Sequence, residues 1–172
     1  SLRSQFDPMM ELKRIFAQRD TSRGVTVVPE KTQVKIGHDK LRFRVKSDRV
    51  GFVYVLMVGT DRNDFFLLFP NDVDKANRID AEREIFLPRS GWSMTANGPE
   101  GVDEFLVMVS NHPRDFTHAG LSAIPPFSQF AGARAIEALK TTTQHVSPFA
   151  GVSKCQVASE CVEGYGAAIF SI

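Results

Sequence analysis

KLRFRVKSDRVGFVYVLMVG, residues 40–59, decides the fold. In its first half Leu41, Phe43 and Val45 alternate with Arg42, Arg44 and Lys46, the period of two of a strand with one dry face and one wet face. In its second half, residues 51–59, apolar side chains occupy both phases. A strand of that kind belongs in the middle of a sheet covered on both sides. The link between them, SDRVG, has the turn residues of a hairpin.

The alternation extends in both directions from this stretch. Upstream, GVTVVP (24–29) and TQVKIG (32–37) read as two strands parted by Pro29. Downstream come DFFLLFP (64–70), reached through the turn GTDRND, then REIFLP (83–88), WSMTA (92–96), the turn GPEG (98–101) and DEFLVMVS (103–110). Short strands with turn signals between them predict a mainly β fold, an antiparallel β-sandwich of Ig-like or Greek-key type. Residues 1–23 supply a linker and a docking helix. Asp7 is its expected N-cap, Pro8 its first residue, and Met9, Leu12, Ile15 and Phe16 its buried face. Residues 24–125 form the sandwich core, and HPRDFTHAGLSAIPPFSQF (112–130) reads as a loop because Pro125 and Pro126 discourage regular structure. Residues 126–172 complete the same domain with a short helix from FAGARAIEALKTTT (130–143), a polar loop holding two cysteines, and a closing strand GAAIFSI (166–172).

Composition removes several functional classes. The 172 residues carry 21 Lys and Arg against 20 Asp and Glu, a net charge of +1, so no basic face for nucleic acid is expected. No apolar run is long enough to cross a bilayer, and direct membrane insertion is not expected. The chain opens on Ser1 in a polar stretch, as expected of a piece cut from a larger, membrane-anchored protein. Fourteen Phe against one Trp (Trp92) and two Tyr (Tyr54, Tyr165) point to aromatics that fill a core.

Cys155 and Cys161, with five residues between them in a polar loop, are expected to form a disulfide, which implies a periplasmic or otherwise extracytoplasmic setting. A zinc site would recruit His112 and His118, but neither pair has the spacing of a zinc knuckle. A thiol nucleophile activated by His112, His118 or His145 lacks any family-type sequence around either cysteine. Asp61, Asn63 and Asp64, and likewise Asn71, Asp72, Asp74 and Asn77, suggest calcium, yet the EF-hand pattern is absent and Asp and Asn also build turns. Arg78, Arg89 and Arg114 offer an anion site, but scattered arginines of this kind are read as solvated. The phosphate-loop, dinucleotide, zinc-protease and nucleophile-elbow motifs are all missing. The expectation is therefore a chain without catalysis, metal or cofactor.

The run GFVYVLMVGTDRNDFFLLFPNDVDKANRIDAEREIFLP (51–88), followed by WSMTANGPEGVDEFLVMVS (92–110), resembles a bacterial domain-of-unknown-function family, number 4384. The resemblance rests on residues 51–56, the Leu-Phe-Pro-Asn strand end at 68–71, Asn-Arg-Ile at 77–79, Leu87-Pro88, and the Gly-Pro-x-Gly turn at 98–101. In AEREI (81–85) this chain has Glu82 where relatives commonly have Gly. The ending CVEGYGAAIF is similar to the tail of kinase-linked members. The resemblance implies a module at the C-terminal end of serine/threonine kinases or beside other signalling domains, with no catalytic residues.

The expected role is a non-catalytic binding or regulatory module of sensor type, part of a larger bacterial envelope or signalling protein. It would recognise a protein partner or a cell-envelope ligand through the loop after Pro70, with Asn71, Asp72, Asp74, Asn77, Arg78 and Trp92 as contacts. Two alternatives stay open. One is a structural protein-interaction domain of an envelope or secretion assembly, and the other, further off, is a thiol- or metal-dependent enzyme.

Overall fold

The computed structural model describes residues 6–130, 132–141 and 146–172. In chain order it contains α1 (Pro8–Ala17), β1 (Val25–Pro29), β2 (Lys40–Leu41), β3 (Phe43–Ser47), β4 (Gly51–Val58), β5 (Phe65–Phe69), β6 (Arg78–Ile79) and β7 (Glu84–Leu87). There follow β8 (Met94–Thr95), β9 (Glu104–Ser110), β10 (Arg114–Asp115), β11 (Leu121–Ile124), β12 (Phe127–Phe130), α2 (Gly132–Thr141), β13 (Val152–Ser153) and β14 (Tyr165–Ser171). The fold is mainly β with antiparallel sheets and two helices.

A large sheet runs β11-β12-β5-β4-β9-β14, with β6 paired to the start of β4. A smaller sheet, β1-β3-β7, covers one face of it. Between the two lie Val53, Val55, Phe105, Val107 and Val109 from the large sheet, and Phe43, Val45 and Leu87 from the small one. The opposite face of the large sheet offers Tyr54, Leu56, Leu106 and Met108 to Leu12 and Ile15 of α1, to Ala135 of α2, and to Phe116 and Phe149 of the loops. Both phases of β4 and β9 are thus buried, as their continuous apolar runs require. In β5, Val55 pairs with Phe69 and Leu56 with Leu67, so Leu68 is an extra residue. This bulge lets Leu68 and Phe69 face the same core.

The predicted hairpin across SDRVG does not form, because β3 and β4 lie in different sheets. One wet face suits β3 to a thin outer sheet, whereas β4 needs cover on both sides. The chain turns the corner through the Ser47 hydroxyl, which donates to the Arg49 carbonyl at 2.6 Å, and the Asp48 N–H, which donates to Gly24 O at 3.0 Å. At Gly51 a side chain is excluded, since a β carbon would stand 2.6 Å from the Ser110 carbonyl oxygen.

Three further expectations meet the structure differently. TQVKIG is not a strand. Asp39 Oδ2 accepts the Lys35 N–H at 2.8 Å and Gly37 takes a φ of +73°, which closes a turn instead. The stretch 112–130 is not a plain loop either, because β11 and β12 form a hairpin with Pro125 and Pro126 at its tip, where no ladder N–H is needed. That hairpin extends the large sheet and straddles the expected boundary at 125. The N-terminal helix forms as read: Asp7 accepts the Met10 N–H at 3.2 Å, Pro8 opens the helix, and Leu12 and Ile15 are fully buried.

Candidate functional site

A cleft of about 430 Å³ opens beside β5, between the turn at 59–64 and the segment 93–99. Its floor is apolar, made by Met57, Phe66, Leu68, Met94 and Phe127, with Leu41 at one side. Its charged lining residues are Asp61, Asp64 and Asp103, and among the described residues no cationic side chain lines it. The period of two creates the floor: Phe66 and Leu68 share one face of β5, while Phe65 and Leu67 point into the core under α1.

Each rim carboxylate has a defined posture. Asp61 Oδ1 accepts the Asn63 N–H at 3.0 Å and forms the turn itself. The turn reading of this acidic cluster therefore describes its geometry. Asp103 accepts the Thr60 hydroxyl at 2.8 Å and Asp64 accepts the Gln129 amide at 3.1 Å. Burial, and then the neighbouring Asp61 charge, push the Asp64 carboxyl above its ordinary value. A cation placed here would relieve that repulsion.

None of the six loop residues expected to contact a ligand lines the cleft. Most of them are engaged within the fold instead. Asn71 donates to the Leu68 carbonyl at 3.0 Å and accepts the Val73 N–H at 3.1 Å and the Asp74 N–H at 3.0 Å. Asn77 donates to Val53 O at 3.0 Å, and Arg78 pairs with Asp80 at 2.6 Å. Asp72 is exposed, its N–H donating to Pro126 O at 3.0 Å. Trp92 donates from Nε1 to Asp74 at 3.0 Å and stacks on Phe69 with ring centroids 5.8 Å apart. Its ring also meets the edge of Phe127, 6.0 Å away, so this network braces the wall of the cleft. The residues missed in the sequence are Met57, Phe66, Met94 and Phe127. The apolar flanks of GTDRND could have suggested them, but the strands that converge there are far apart in the chain.

Of the arginines read as solvated, Arg114 is buried. Its Nε donates to the Ser110 hydroxyl at 2.7 Å and its Nη1 to the carbonyls of Ala150 at 3.2 Å and Gly151 at 3.3 Å. Nη2 donates to the Glu163 carbonyl, and the Tyr54 hydroxyl accepts the Arg114 N–H at 2.7 Å. Cys155 and Cys161 are joined in a half-buried disulfide in the loop that Arg114 clamps. His112 lies beside it, His118 is exposed on the turn Thr117–Ala119, and His145 lies outside the described residues.

The segment that supplies every lining residue of the cleft except Phe127 also carries a family signature. Residues 33–113 match the family model described as a domain of unknown function (DUF4384). The resemblance drawn from residues 51–110 falls within it. The DUF4384 stretch runs from the turn before β2 to the loop after β9, so β1, β11, β12 and β14 lie outside it. Glu82 of this stretch adopts a φ of +63°. No curated protein and no solved structure matches the chain. Among the described residues, no helix is long and apolar enough to cross a membrane.

Proposed function

We propose that this chain is a non-catalytic binding module that recognises a basic side chain flanked by apolar ones, on a protein partner, through the cleft beside β5. The observation that carries this reading is the pairing of an apolar floor with a rim charged only by carboxylates. The volume fits a few side chains, and an apolar pocket with a few convergent polar groups is the usual form of a recognition site. The module serves as the sensor part of a larger bacterial envelope or signalling protein, of the kind in which a serine/threonine kinase is followed by such a domain. Its disulfide supports an extracytoplasmic position.

Calorimetric titration of the full chain with short peptides tests this. Peptides with Lys or Arg beside Leu or Phe bind, and their Glu counterparts do not. The double substitution Asp64→Asn and Asp103→Asn weakens binding by about tenfold, equivalent to about 1.4 kcal/mol, and added salt weakens it in the wild type. Affinity falls on acidification through the raised Asp64 pKa, as the carboxylate is neutralised. Equal binding of the acidic peptides, or an unchanged affinity in the double variant, overturns the reading.

A further inference from the structure

The corner that holds the disulfide also holds a third soft-metal ligand. The ligand atoms of His112, Cys155 and Cys161 all lie within 4.8 Å of one another, although His112 is more than forty residues away in the chain. The Val162 N–H donates to His112 Nε2 at 3.1 Å, so this nitrogen carries a lone pair turned toward the cysteine loop. Glu163 Oε1 lies 3.4 Å from Cys161 Sγ but outside the group of three whose ligand atoms all fall within 4.8 Å of one another. One imidazole and two sulfurs are three ligands of a zinc set whose fourth position is left to water. Spacing along the chain argued against a zinc knuckle because it counted residues, whereas the second segment arrives by tertiary pairing.

We propose that reducing the Cys155–Cys161 bond turns this corner into a zinc site, with both thiolates and the His112 imidazole as protein ligands and water in the fourth position. In the first step a dithiol reductant gives two electrons and two protons to the disulfide, yielding two cysteine thiols and the oxidised reductant. In the second, Zn²⁺ displaces the two thiol protons and binds both sulfurs. The metal takes the His112 lone pair from the Val162 N–H, which lies on an exposed residue and turns to water. Oxidised and zinc-bound states exclude each other, so the corner reports redox poise as metal occupancy.

The ligands stay together without the disulfide because other bonds hold both segments. β10 pairs with β13, Arg114 opposite Ser153 and Asp115 opposite Val152. The Lys154 N–H donates to Pro113 O at 2.7 Å, immediately between His112 and Cys155. Arg114 clamps Ala150, Gly151 and Glu163, so both ends of the cysteine loop are fixed. None of these contacts involves a sulfur atom.

The full chain is tested before and after reduction by a trialkylphosphine, which consumes water, becomes the phosphine oxide and leaves no competing thiol. Zinc is titrated against a chromophoric chelator, and Co²⁺ serves as a spectroscopic substitute. The reduced chain takes up one Zn²⁺ and with Co²⁺ shows thiolate charge-transfer absorption, while the oxidised chain does neither. His112→Gln keeps an acceptor for the Val162 N–H but is a poor ligand, and it weakens zinc binding by at least about tenfold. Replacing both cysteines by Ala abolishes the uptake. No uptake by the reduced wild-type chain, or undiminished affinity in His112→Gln, overturns the proposal. Circular dichroism on the reduced chain and each variant shows that the fold is retained. The inference stands apart from the cleft, and neither result bears on peptide binding.

Discussion

Arg89 grips Asp74 with two nitrogens, Nε at 2.8 Å from Oδ2 and Nη2 at 2.6 Å from Oδ1. Asp74 also accepts the Trp92 indole N–H, and its side chain is only 10% exposed. Asp74 therefore ties the loop after Pro70 to the fold through a planar, bidentate contact. Arg89→Ala leaves a shielded carboxylate without its cation and costs about 1 to 3 kcal/mol, less than for a fully buried pair because Arg89 is itself partly exposed. Arg89→Lys cannot reproduce the fork and recovers only part of this. Urea denaturation measures both.

The same pair sets an acid limb of stability. Burial pushes the Asp74 carboxyl upward, but the bonds from Arg89 and Trp92 outweigh it and hold the group below its ordinary value. A carboxyl depressed in the folded state contributes stability that is present above its ordinary pKa of 3.8 and is lost as pH falls through the folded value. Unfolding curves recorded from neutral pH down to pH ~3 show this loss in the wild type, and a flatter curve in Arg89→Ala.

Glu82 sits in the left-handed region at a φ of +63°, and its N–H donates to Ser47 O at 2.7 Å. Glu82→Gly removes a strain of about 1 to 2 kcal/mol. Part of that gain is offset by glycine's greater freedom in the unfolded chain and by loss of the exposed Lys46–Glu82 pair at 3.4 Å. The expected result is a rise of up to about 1 kcal/mol, visible as a higher melting temperature. Glu82→Ala loses the pair and keeps the strain, so it gives no gain.

Tyr165 donates from its hydroxyl to the Ile15 carbonyl at 2.7 Å and so closes the end of α1. Tyr165→Phe leaves that buried carbonyl without this donor and costs about 1 to 2 kcal/mol by chemical denaturation. Burial raises the phenol to about 12, with Arg114 opposing. The raised value contributes stability that is complete below the ordinary pKa of 10.0 and is lost as pH climbs through the folded one. Phenolate absorbance in an alkaline titration shows the late ionisation.

Reducing the disulfide removes a short closed loop and lowers stability by about 2 to 3 kcal/mol in the absence of zinc. The chain remains folded at room temperature, because the clamp on residues 150–163 belongs to Arg114. Arg114→Ala, which strands the buried Ser110 hydroxyl and the carbonyls of Ala150, Gly151 and Glu163, is the more damaging change, and thermal unfolding ranks the two.

Periodicity carried the fold a long way. The alternation at 41–46, the two-sided apolar runs of β4 and β9 and the capped start of α1 are local signals with one physical solution. Sheet membership was less legible. SDRVG supports a hairpin or a corner equally well, and the choice falls to the burial demanded by β4 and to room for its backbone beside Ser110. Pro125 and Pro126 were read as disorder of the ladder when they sit where the ladder ends. The acidic turns were correctly readable as turns. The cleft was not, because Phe66, Met94 and Phe127 come from strands that meet only through non-local pairing. Arg114 was unreadable for the same reason, since its acceptors lie up to 49 residues away.

The strand order also shows what the DUF4384 stretch of this chain needs from its neighbours. Within the large sheet, residues 33–113 supply β5, β4 and β9 in the middle, but their outer partners β12 and β14 come from beyond position 113. Moved alone, this stretch would present two open strand edges lined with apolar side chains, an invitation to aggregation. The pieces after position 113 act as selvedges on a woven cloth: in this chain they supply the two finishing strands that the matched stretch lacks.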